Sequence, residues 1–140
     1  MKTSKKVFVA GNVFFAFVDR GHPKHEHAAA YFRYFGIEHY QVYTGATNMM
    51  DAYSLIYARM SPSLGKDFLR TMMLGNINIL YPLESDYKAA LKALTAYRST
   101  ELTYPQAITA TLAKRNNIGQ ICTFEFLHSL FGLETFYLPI

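Results

Sequence analysis

A chain of 140 residues, 51% hydrophobic and 17% charged, has room for one domain with a buried core and is too apolar for a disordered tail. Its single cysteine, Cys122, excludes an internal disulfide framework and fits a reducing, cytoplasmic compartment. Lys and Arg exceed Asp and Glu by 14 to 10, a net charge of +4 without the dense basic run of a nucleic-acid footprint, and only Asp19, Asp51, Asp67 and Asp86 are aspartates.

The basic residues before Val7 and the apolar stretch Val7–Val18 resemble the opening of a signal peptide, but Gly11 and Asn12 interrupt the run and no small-residue cleavage pattern follows. Twelve residues with an Asn among them also fall short of the roughly 20 apolar ones that a membrane span needs. The stretch reads as a buried strand, Lys6–Ala10, turning at Gly11-Asn12 into a helix capped by Asn12 and ending near Asp19.

Gly21-His22-Pro23 breaks the chain. A helix follows from about Pro23 to Tyr34, with Ala28, Tyr31, Phe32 and Phe35 on one face, and Gln41–Tyr43 is a short strand. Met50, Tyr53, Ile56 and Tyr57 mark the inner face of a helix over Thr47–Met60, and after Ser61-Pro62-Ser63 another helix covers Leu64–Leu74. Gly75-Asn76 stops it before the strand Ile77–Tyr81. Ser85 caps a helix with the stripe Tyr87, Ala90, Leu91, Leu94 and Tyr97. Pro105 opens a helix to about Arg115, Asn116–Gly119 ends it, Gln120–Phe124 is a strand, and Phe136–Leu138 is a last edge strand.

Strands separated by helices need crossovers, so the fold class is α/β: a three-layer α/β/α sandwich on a mostly parallel sheet, one domain over residues 1–140. Sites in such sheets form beyond the carboxyl ends of the strands. Three segments qualify: Ala10-Gly11-Asn12, Tyr104-Pro105-Gln106 and Thr123-Phe124-Glu125.

At these segments the chain resembles the PIN-domain family, the metal-dependent ribonucleases that include VapC-type toxins. The likeness runs through KVFVAGNVFFAFVDR, LIYARM, LTYPQAITATLAKRNNI and ICTFEFLHSLFG, in the family's order and over nearly the whole chain. It implies a site at which four acids bind one or two Mg²⁺ or Mn²⁺ ions and activate water against an RNA phosphodiester. Those acids fall at Ala10, Ala52, Gln106 and Glu125, so three are uncharged here and the fourth is a Glu where Asp is usual. Gly11 stands where a hydroxyl is usual, Asn12 matches, and the family's His-Phe after the last acid corresponds to Leu127-His128.

Mg²⁺ keeps its waters unless carboxylates or phosphates offset its charge, and two-ion chemistry needs that charge fixed in place. Ala10 and Ala52 offer no donor atom and Gln106 only a neutral amide. Asp51 adjoins the second gap, Ala52, but neighbouring helical residues point about 100° apart, so it is not expected to take over the role. The three losses equal three of the four net positive charges. The expectation is therefore a vestigial site with no cofactor, in a non-catalytic or weakly active RNA- or protein-binding module. The alternative is a residual Mg²⁺- or Mn²⁺-dependent endoribonuclease built on Asn12, Glu125 and either Asp51 or Asp19. The resemblance also implies a homodimer and a small antitoxin-like partner, with RNA as a possible ligand and no membrane.

Other residues have ordinary readings. His22, His25 and His27 flank a helix start without a fourth metal ligand. Glu125 suits the first turn of a helix, and Lys114 and Arg115 suit a last turn. Met49-Met50 and Met72-Met73 read as core or dimer packing, and Cys122 as an inert residue in an apolar strand.

Overall fold

Val7, Phe8 and Val9 are fully buried, and the sheet is built outward from them. The computed structural model describes residues 5–97, 102–125 and 133–138. In chain order it has β1 (Lys6–Val9), α1 (Gly11–Val18), α2 (His25–Ile37), β2 (Gln41–Gly45), α3 (Ala46–Arg59), α4 (Pro62–Leu74), β3 (Asn78–Leu80), α5 (Glu84–Ala96), α6 (Tyr104–Arg115), β4 (Gln120–Cys122) and β5 (Glu134–Thr135). The strands lie in the order β3-β2-β1-β4-β5 and every pairing is parallel.

Alternation along β1 assigns the layers. Val7 and Val9, with Cys122 of β4, pack beneath α1–α4 against Phe14, Tyr31, Phe35, Ile56 and Phe68. Phe8 and Ile121 face the other way, against Ala90 of α5 and Ala107, Ile108 and Leu112 of α6. Burial raises the Cys122 thiol pKa to about 12, which keeps it in the unreactive thiol form.

The structure moves several expected features. The first strand stops at Val9, Ala10 takes the N-cap position of α1, and Asn12 lies inside the helix. α5 opens at Leu83 instead of Ser85, and the Leu83 N–H donates to Asp86 Oδ2 at 2.8 Å. The last strand is Glu134–Thr135, two residues before the one expected, although Phe136 N–H still donates to Ile121 O at 2.7 Å. On α3 the buried residues are Met49, Ala52 and Ile56, while Met50 and Tyr57 are about half exposed. That helix is apolar on more than one side, so periodicity alone does not choose its inner face. Tyr87 and Leu91 of α5 also point outward, and Asp86 with Ala90 points in.

Asp86 is 3% exposed and is held by Arg115 at the end of α6, Nε to Oδ1 and Nη2 to Oδ2, both at 2.9 Å. Burial pushes its carboxyl up, but the Arg115 fork and the Leu83 N–H outweigh this and the net shift is downward. A lowered pKa contributes stability above the ordinary aspartate range that is lost as pH falls through the folded-state value. Asp86→Asn should therefore cost about 1–3 kcal/mol at neutral pH, discounted because Arg115 is partly exposed. Urea melts should show the gap to wild type closing as pH drops below the ordinary aspartate range. An equal gap at both pH values would mean that the lost shape, and not the charge, is responsible.

Candidate functional site

From β1 the chain winds to β2 and β3 on one side, then returns to place β4 on the other. Neighbouring connections therefore leave the β1/β4 boundary in opposite directions, and a crevice opens beyond the carboxyl ends of these two strands. The Ala10 N–H continues the ladder by donating to Cys122 O at 2.9 Å. Beyond it, a cleft of about 400 Å³ is enclosed by the start of α1, one face of α3, the start of α6 and the residues after β4.

Asn12 binds these walls together. Its Nδ2 donates to Thr123 Oγ1 and its Oδ1 accepts from Phe124 N–H, both at 2.9 Å. Thr123 Oγ1 also accepts the Glu125 N–H at 3.2 Å, which directs the backbone at Glu125 along the cleft. On the opposite side of β1, buried Thr44 Oγ1 donates to Val9 O at 2.7 Å.

Gly11 is explained by the same packing. A Cβ there would lie 2.6 Å from the main-chain oxygen of Asn48 and 3.6 Å from Ala52 N, so α1 and α3 approach as closely as they do because the side chain is absent. Gly45 serves Asn48 again, since a Cβ there would lie 2.7 Å from Asn48 Oδ1. This seating turns Asn48, Asp51 and Leu55 toward the cleft, at helical spacings of three and four, and sends Ala52 into the core with no exposed surface. The acid on this helix that lines the cleft is thus Asp51. Ala52 does not line it. Burial, and then the nearby Glu125 carboxylate, push the Asp51 carboxyl above the ordinary aspartate range.

At the start of α6, Thr103 and Gln106 form a reciprocal capping box. Gln106 N–H donates to Thr103 Oγ1 at 3.3 Å, and Thr103 N–H donates to Gln106 Oε1 at 3.0 Å. The other arm of the amide crosses the cleft, and Nε2 donates to Glu125 Oε2 at 3.3 Å.

The structure therefore brings Ala10, Asn12, Gln106 and Glu125 to one cleft together with Asp51, and adds Asn48 and Thr109. Thr109 Oγ1 donates to Asn48 Oδ1 at 3.4 Å. The signal for Asn48 was its i, i+3 spacing from Asp51 on the same helix. Asp19 is excluded from the cleft: it caps the far end of α1, where Oδ1 accepts from Gly21 N–H. His22 and His25 are occupied locally, by Lys24 N–H and Ala16 O respectively, and Leu127-His128 lies outside the described residues. Among the described residues no three His, Cys, Asp or Glu side chains converge. The donors fit a site for one or two Mg²⁺ or Mn²⁺ ions poorly: Ala10 supplies nothing, and the Gln106 NH₂ group, itself a donor, faces Glu125.

Two outcomes test this geometry. Gly11→Ala should cost about 1–3 kcal/mol in urea melts, because the obstructing atom is backbone. Gly36→Ala, where nothing lies within 4 Å of the added Cβ, should instead stabilise by about 0.5–1 kcal/mol as an ordinary helix-interior exchange. Asp51→Asn should raise the melting temperature at neutral pH. A raised carboxyl pKa leaves its favourable contribution intact below the unfolded value and removes it as pH rises through the folded one, so the gain from Asn should vanish in acid. A variant as stable as wild type at every pH would show that Asp51 carries no such penalty.

No protein-family model matches the chain, and no curated protein matches it. Solved structures do. Mycobacterium tuberculosis VapC20, a toxin that cleaves the sarcin-ricin loop, superposes with a TM-score of 0.72 at 13% identity, over 82% of this chain and 86% of that one. FitAcB from Neisseria gonorrhoeae gives 0.65 at 14% identity over 94% and 96%, and FitAB bound to an IR36 DNA fragment gives 0.65 at 14% over 96% and 98%. The likeness at these identities is one of fold, and it agrees with the all-parallel sheet and its two helical layers: this chain has the PIN-domain fold.

Proposed function

We propose that this chain is a PIN-fold domain with a degraded nuclease site, derived from a VapC-type toxin and acting in the cytoplasm as a non-catalytic or weakly active RNA- or protein-binding module. The observation that carries this reading is Ala10. It occupies the carboxyl end of the central strand, at the switch in sheet order, and its methyl group supplies no ligand there. Two-ion chemistry needs fixed negative charge to hold the ions, activate water and stabilise the leaving oxygen. In this cleft the neutral amides of Asn12, Asn48 and Gln106 stand with only two carboxylates, Asp51 and Glu125.

The partners in this reading are a second copy of the chain and a small antitoxin-like protein. The fold shared with a toxin and with the FitAB complex supports them, and RNA is a further candidate ligand. No helix among the described residues is long and apolar enough to cross a membrane.

One observation favours a residual enzyme. Asp51 and Glu125 are close enough for one carboxylate to raise the pKa of the other, and Asn12 sits across the same cleft. The two readings separate in one experiment, in which single-stranded RNA is incubated with Mg²⁺ or Mn²⁺, with and without EDTA. The binding module leaves the RNA intact and melts at the same temperature in EDTA and in Mn²⁺. Cleavage that EDTA stops, and that Glu125→Ala and Asp51→Ala each abolish, would establish the enzyme. Salt-sensitive RNA binding alone fits both, since a chain of charge +4 attracts phosphate in either case.

A further inference from the structure

The capping box at the start of α6 fixes more than a helix end. Thr103 N–H is a donor, so the Gln106 atom facing it must be the amide oxygen. The NH₂ group is then forced to the opposite side, where it meets the carboxylate of Glu125. Both contacts agree on the same orientation of the amide, so it does not rest on an arbitrary choice between oxygen and nitrogen.

Capping boxes accept Glu as readily as Gln at this position. With Glu, one oxygen still receives the Thr103 N–H. The other, however, confronts Glu125 as a second acceptor, and the two carboxylates repel unless a cation lies between them. With Gln, a partly positive NH₂ group takes that place from within the protein. We propose that Gln106 is an internal surrogate for a cation: a latch that pairs with Glu125, keeps divalent ions out of the cleft, and by its single exchange for Glu opens an ion site between residues 51, 106 and 125. The proposal rests on the reading that the wild-type cleft holds no ion. It goes beyond that reading by assigning the exclusion to one side chain, and it requires no acid at Ala10.

Thermal melts of wild type, Gln106→Glu, Gln106→Asp and the double variant Gln106→Glu/Glu125→Gln, in EDTA and across a Mn²⁺ titration, test it without reference to activity. Wild type should show no saturable response. Gln106→Glu should melt lower than wild type in EDTA and rise by about 3–6 °C on saturation with Mn²⁺. The double variant, which restores an amide partner opposite residue 106, should recover the EDTA melting temperature and lose the Mn²⁺ response. A folded Gln106→Glu protein without a Mn²⁺ response overturns the latch, as does a response that survives Glu125→Gln. Gln106→Asp carries the same test if the Glu variant does not fold. A wild-type chain that responds to Mn²⁺ as strongly as the variant would overturn the ion-free reading itself, an outcome distinct from failure of the latch alone.

Discussion

Two parallel strands whose connections leave in opposite directions pose a hydrogen-bonding problem at their carboxyl ends. The ladder between β1 and β4 runs out at Ala10 N–H, and the chain beyond β4 still presents donors that water would otherwise have to satisfy. Asn12 resolves this because a primary amide is both donor and acceptor. It gives a hydrogen bond to the Thr123 hydroxyl and takes one from Phe124 N–H, so the first turn of α1 holds the segment after β4 in register. The position of Glu125 follows from that bridge through Thr123. With Thr44 fixing Val9 from the other side, the end of the central strand is pinned on both flanks. These contacts fix the shape of the cleft from within the protein.

Close packing then decides which chemistry faces the cleft. The contact between Gly11 and the Asn48 carbonyl sets the rotation of α3, and rotation determines whether the acid or its neighbour is presented. Adjacent residues differ by about 100° around a helix. A hydroxyl-bearing side chain at position 11 would meet the α3 backbone, so the glycine and the outward placement of Asp51 belong to one arrangement. A departure from the expected motif that resembles a loss in the sequence is, in the packed structure, the condition for the observed helix contact.

The parts of the fold legible in the sequence are those where one signal dominates. Val7-Phe8-Val9 is a short, continuous apolar run and became the central strand, and the alternation of helices and strands required parallel crossovers. Where two faces of a helix are both apolar, as on α3, periodicity picked out Ile56 but could not separate Met49 and Ala52 from Met50 and Tyr57, and the placement of Asp51 went with it. On α5 Tyr87 and Leu91 of the apolar stripe point outward while Ala90 stays in, because a charged residue, Asp86, is drawn in by Arg115, a partner 29 positions later in the chain. The Thr103-x-x-Gln106 box was visible as a local pattern, but its second contact depends on Glu125, which only the sheet topology brings near.

Electrostatics connects these observations. Two like charges about 4 Å apart cost about 4 kcal/mol at an effective dielectric near 20, so a cleft of four acids is under tension until cations enter it. On the reading proposed here, Ala10 removes one source of that tension, and Gln106 turns a second into a hydrogen bond. What repulsion survives lies between Asp51 and Glu125. Removing the acids thus takes away the capacity to hold ions and, by the same arithmetic, the need for them. On that reading the hydrogen-bonded frame of Asn12, Thr123 and Gln106 holds the shape of the cleft from within the protein.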